Sequence, residues 1–187
     1  MFAPLPARYA YLNGRDDLPN ILDQMLKLHG LKEAPGAADN PIILDMAREV
    51  GLARDYRHDA TPWCGLALAA AVHRAGYTLP ASPLWALGWS AWGTDQDRAM
   101  LGDVIVYRRT GGGHVGLYVG EDDTAYHILG GNQGDAVSIV RLTRARWTRD
   151  GAFGVVAIRR SPWRVGPPAS VAPVKVSAAG AVGSKVV

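Results

Sequence analysis

Cys64 is the only cysteine in the 187-residue chain. An internal disulfide and a cysteine-based zinc cage are therefore excluded, and a lone thiol is either a small core hydrophobe or a reagent. Thr61-Pro62-Trp63-Cys64 places it in the first turn of an expected helix, where free amide groups and the positive dipole end favour the thiolate. A thiol nucleophile needs a base. His114 starts an expected strand directly after Gly111-Gly112-Gly113, on the face that carries Gly116, Tyr118 and Gly120. Val115, Leu117 and Val119 form the apolar stripe on the other face. A base in turn needs a group to orient it. If the following hairpin turns over residues 122–124, Glu121 opposes Ala125 and His114 opposes Asn132 on one face. A two-residue loop shifts the register by one and leaves Gln133 as the fallback. This set suits acyl transfer. The imidazole takes the thiol proton, the thiolate attacks a carbonyl, and the Cys64 N–H stabilises the oxyanion. The imidazolium then donates to the leaving amine, and water hydrolyses the thioester.

Asp59 and Trp63 stand beside the Cys64 helix as auxiliary candidates, Asp59 either capping that helix or meeting a substrate. His127 has the wrong parity for the His114 face and reads as structural, while His29, His58 and His73 are scattered. No HExxH or other close ligand spacing occurs, so neither a metal nor an organic cofactor is expected.

The elements that must position these residues change character midway. Asn40-Pro41, Thr61-Pro62 and Ser82-Pro83 each open an apolar segment closed by Gly51, Gly76 and Gly93. Polar cap, proline and terminal glycine are the punctuation of helices. Residues 18–29 have apolar residues at helical spacing. From Asp103 the period becomes two, with strands expected over 103–109, 113–120, 125–131, 136–142 and 153–159. Helices first and a meander afterwards give an α+β class, with N-terminal helices packed on an antiparallel sheet.

Lys and Arg total 20 against 17 Asp and Glu, a net charge of +3. The excess lies in residues 164–187, which hold Arg164, Lys175 and Lys185 and no acid. The expected organisation is an N-terminal extension (1–17), a neutral body (18–163) and a flexible basic tail rich in Ala, Val and Pro (164–187). A neutral body lacks the basic footprint of a nucleic-acid binder. Gly111, Gly113 and Gly116 match a dinucleotide fingerprint but precede a strand, not the required helix. Trp85, Trp89 and Trp92 fall on one face of an expected helix and read as packing. No apolar run is long enough to span a membrane. No secretory signal is read at the N-terminus.

The stretches Asn40-Pro41-Ile42, Thr61–Gly65, Leu101–Val104, Gly113–Gly120 and Leu129–Gln133 resemble, in order, the CHAP/NlpC-type papain-like cysteine hydrolases. Within these, the chain is similar to a phage-associated group that degrades cell walls. A departure is Leu68-Ala69-Ala70, where bulkier residues are common. The resemblance implies a papain-like fold, with Cys64 as nucleophile, His114 as base and Asn132 as orienting residue. It implies cleavage of a peptidoglycan amide, either the N-acetylmuramoyl–L-alanine bond or a stem or cross-bridge peptide bond. It further implies an endolysin held in the host cytoplasm until a holin admits it to the wall, or a lysin carried on a virion. A delivered antibacterial effector and a non-catalytic virion or wall-binding module are the alternatives. No separate wall-binding domain is read, so a thin wall and a monomeric enzyme are expected.

Overall fold

A computed structural model describes residues 1–161 and 174–176. Three helices precede the sheet. In α1 (Asn20–Lys27), Ile21, Leu22, Met25 and Leu26 form the buried face. In α2 (Pro41–Glu49), the Asn40 side chain accepts the Ile42 N–H at 2.9 Å, so the expected cap is made. Helix α3 (Cys64–Arg74) is buried from Cys64 through Val72, which its alanines permit by letting it lie close to its neighbours. It starts later than expected. Trp63 is the N-cap, no side chain caps the helix, and Cys64 is its first residue.

The Ser82-Pro83 segment forms only a 3-10 turn, Ala86–Ala91. Its Pro83 carbonyl is engaged elsewhere. Trp89 Nε1 donates to Pro83 O at 2.9 Å, and a Cβ on Gly65 would lie 2.4 Å from that oxygen. With this carbonyl turned to α3, the segment cannot also supply it to a helical ladder. Trp89 and Trp92 are buried, whereas Trp85 is 58% exposed, so the expected three-tryptophan packing face is reduced to two.

The sheet comprises β1 (Thr94–Asp95), β2 (Val104–Arg109), β3 (Gly112–Glu121), β4 (Ala125–Gly130), β5 (Ser138–Thr143) and β6 (Phe153–Arg160). All pairings are antiparallel, in the order β1-β6-β2-β3-β4-β5. The expected meander is β2 to β5, and β6 returns to pair with β2. One face carries Val104, Val106, Val115, Leu117 and Leu129 into a core shared with α1 and α3. The other carries Ile105, Tyr107, Tyr118, Ile128 and Ile158 into a second cluster. The class is thus mixed α and β around one antiparallel sheet.

Residues 1–17 are built into the same core. Tyr9 and Leu12 are buried in a 3-10 turn, and Tyr9 Oη lies 2.8 Å from His127 Nδ1. Of the tail expected to be flexible, residues 164–173 and 177–187 lie outside the described residues. Val174–Val176 are tied to β3. Glu121 N–H donates to Val174 O at 2.8 Å, Val176 N–H donates to Glu121 O at 2.9 Å, and Lys175 Nζ pairs with Glu121 Oε1 at 3.0 Å. Among the described residues, no helix is long and apolar enough to cross a membrane.

Candidate active site

The start of α3 is held from two sides. Trp63 is wholly buried and its indole donates to Glu33 Oε1 at 2.5 Å. Gly131, just past β4, lies against the same turn. A Cβ there would stand 2.6 Å from Ala67 Cβ and 2.9 Å from Trp63 Cε3, so only glycine fits.

The Cys64 thiol therefore meets β3 near its start. Pairing with β4 begins only at Leu117↔Leu129. Val115 turns its carbonyl toward Gly130, where a Cβ would lie 3.2 Å from it, and its N–H points the same way. That N–H reaches the thiol and favours the thiolate, as do the Gly65 N–H and the Arg109 charge. Burial is the larger effect and pushes the thiol above its ordinary value. The thiolate expected from the helix terminus is therefore corrected to a protonated thiol in a residue only 5% exposed.

His114, next to Val115, is 1% exposed. Its Nε2 lies 3.0 Å from Gln133 Oε1. The Gln133 amide orientation is set by its nitrogen, which donates to Ile128 O at 3.2 Å and to Ser138 O. An amide oxygen only accepts, so His114 carries its proton on Nε2. Nδ1 is buried without a hydrogen-bond partner and keeps its lone pair. Burial, against the Gln133 bond and aided by Arg109, depresses the imidazole to about 4, so it is neutral near pH 7.

The side chain that meets His114 Nε2 is Gln133, the expected fallback. Asn132 is buried, but it lies beyond the end of β4 with φ at 55°, a left-handed turn conformation that asparagine tolerates. The expected pairing with His114 falls past the last paired residues of β4. Asp59 neither caps α3 nor faces an open surface. It is 2% exposed, and its Oδ2 accepts the N–H groups of Ala34 and Asn40, each at 2.8 Å. Trp63 is likewise buried, with its indole N–H committed to Glu33. The structure thus sets the Cys64 thiol against Val115 and Gln133 against His114, neighbouring residues of β3, while Asp59 and Trp63 are bonded within the fold.

Two features escaped the sequence reading. Arg109, at the end of β2, projects its charge onto both Cys64 and His114. Its place before the Gly111–Gly113 turn was the available signal. The other is a buried chain in which His127 links Tyr9 to Asp122, whose Oδ2 is 2.8 Å from His127 Nε2 and 2.7 Å from Arg141 Nε. The Arg141 guanidinium holds the Asp122 carboxyl far below the usual carboxylate range, although burial opposes it. This chain fixes the β3–β4 turn to the N-terminal segment. Among the described residues, no group of three His, Cys, Asp or Glu side chains could hold a metal ion. Neither a protein-family model nor a curated protein matches this chain.

Proposed function

We propose that the chain is a papain-like cysteine hydrolase of the CHAP/NlpC type that cleaves an amide bond in peptidoglycan. The observation that carries the reading is the state of His114. Its Nε2–H is committed to Gln133, and its Nδ1 is an unpartnered acceptor at the strand step that the Cys64 thiol meets. Nδ1 takes the thiol proton as the thiolate adds to the substrate carbonyl. The N–H groups at the start of α3 stabilise the oxyanion, and Nδ1–H then protonates the leaving amine. Water hydrolyses the thioester with the imidazole again as base. The sequence resemblance supplies the substrate class and a phage-associated role, through holin-dependent release or delivery on a virion.

The experiment is digestion of purified sacculi, with the released muropeptides identified by mass spectrometry. Wild-type protein is expected to release fragments, and Cys64→Ala is expected to release none while keeping its circular dichroism. Equal release by both removes the mechanism.

The burial of Cys64 favours a second reading, a non-catalytic wall-binding module that keeps the fold. That reading expects both proteins to sediment with sacculi and neither to release fragments.

A further inference from the structure

The turn that precedes His114 lines a cationic cavity. About 360 Å³ in volume, it is lined by Arg108, Arg109, Arg149, Trp147 and the Thr110–Gly112 turn. In the β2–β3 register Tyr107 opposes His114 and Arg109 opposes Gly112. Arg109 is therefore two residues along β2 from the position facing His114, roughly 7 Å. The Arg108 guanidinium lies over the Trp147 ring, 4.8 Å from its centre.

Elsewhere on the sheet, arginines have carboxylate partners. Arg141 meets Asp122 at 2.7 Å, Arg159 meets Asp95 at 3.0 Å and Arg160 meets Asp103 at 2.7 Å. Among the described residues, no carboxylate pairs with Arg108, Arg109 or Arg149, and no acid lines the cavity. Arg109 Nε is buried with no hydrogen-bond partner. A buried donor on a charged group is unfavourable unless an acceptor meets it. Planar guanidinium donors match a carboxylate.

We propose that this cavity binds a substrate carboxylate on Arg109, with Arg108 and Arg149 adding positive charge, so that the preferred substrate is an acidic peptide with a free carboxylate about one residue from the scissile amide. The scissile amide rests on the hydrolase reading; anion binding does not. The proximity is electrostatic as well as spatial. Arg109 acts on both Cys64 and His114, and a carboxylate seated on it offsets that charge at both.

The probes are the tripeptide L-Ala-γ-D-Glu-L-Lys and its D-isoglutamine counterpart, both with an amidated C-terminus. They differ only in the α-carboxylate of the glutamyl residue. Each is titrated calorimetrically into full-length Cys64→Ala protein at pH 7 and low salt. The carboxylate form is expected to bind roughly tenfold or more tightly than the amide. That preference is expected to vanish when Arg109→Gln is added, and to shrink with exposed Arg149→Gln. Equal binding of the two peptides to the parent, binding of neither, or a preference that survives Arg109→Gln overturns the proposal. The parent comparison stands even if Arg109→Gln fails to fold. An Arg109-dependent preference in a protein whose Cys64-intact form leaves sacculi undigested removes the hydrolase reading and keeps the anion site. Digestion without carboxylate preference does the reverse.

Discussion

Gln133→Met separates the orienting bond from packing. Methionine is unbranched, similar in length and neutral, so the 4%-exposed site stays filled. Every side-chain hydrogen bond of Gln133 disappears. The His114 Nε2–H loses its acceptor, and Ile128 O and Ser138 O each lose a donor. An orphaned buried group is unfavourable by about 1–3 kcal/mol, and the carbonyls keep a second lone pair for other partners. The imidazole N–H therefore dominates, and the expected loss is about 2–4 kcal/mol in urea unfolding. The catalytic effect is separate. Without Oε1 to hold Nε2–H, the neutral ring is free to carry its proton on Nδ1, where it cannot act as base. On the proposed hydrolase reading, removing tautomer control and general-base action is expected to lower kcat by about 10²–10³-fold, with KM little changed because Gln133 does not line the cavity. Initial rates of fragment release from sacculi, measured well below the unfolding midpoint, check this. A folded Gln133→Met protein with wild-type kcat would show that Gln133 does not orient the base and refute the tautomer argument.

His114 also makes stability pH-dependent. The unfolded chain protonates it near 6.5 and the fold only near about 4. Its contribution is complete above 6.5 and is lost as pH falls toward 4, by about 2–3 kcal/mol near pH 4.5. Urea unfolding at several pH values should show this slope, flattened in His114→Gln; identical slopes would count against a buried neutral imidazole. Gly131→Ala drives a Cβ into Ala67 and Trp63, with an expected loss of about 1–3 kcal/mol and of sacculus digestion. A variant with unchanged melting temperature and rate would mean that this contact does not position α3. Cys64, held up by burial, should react with iodoacetamide at pH 7.5 more slowly than free cysteine. Because Arg109 favours its thiolate, Arg109→Gln should move the alkylation profile to higher pH; movement to lower pH contradicts the assigned electrostatics.

Local signals are readable where the chain answers them locally and fail where a distant group intervenes. Asn40-Pro41 opens α2 because the Asn40 side chain itself meets Ile42 N–H. Thr61-Pro62 has the same form, but burial of Trp63 and its bond to Glu33 hold that residue at φ −122°, and the helix waits for Cys64. Ser82-Pro83 loses its helix because Trp89 takes the Pro83 carbonyl. Alternation along β3 is correctly readable, as the shared core of Val115, Leu117 and Val119 shows. Its extension across the hairpin is not. Glu121 opposes Tyr126, not Ala125, a register shift between Tyr118 and Gly120 cancels the offset, and the strand ends before Asn132. Counting thus reaches the correct neighbourhood but misses the residue whose side chain bends back to His114. For Arg109 the sequence offers only its place before the glycine turn; that its Nε is buried without a partner is a property of the assembled structure.

The protonation states of Cys64 and His114 follow from a comparison of magnitudes. A helix terminus contributes about 0.3–1 kcal/mol, or up to about 2 when partly buried. Full burial shifts a pKa by up to about 3–5 units, at about 1.4 kcal/mol per unit. Burial wins at Cys64, raising the thiol, and at His114, lowering the imidazole. The resting pair is therefore neutral thiol and neutral imidazole, not thiolate and imidazolium. On the proposed hydrolase reading, proton transfer would have to accompany carbonyl attack, when oxyanion donors at the start of α3 and a carboxylate on Arg109 would change the field that the two groups share.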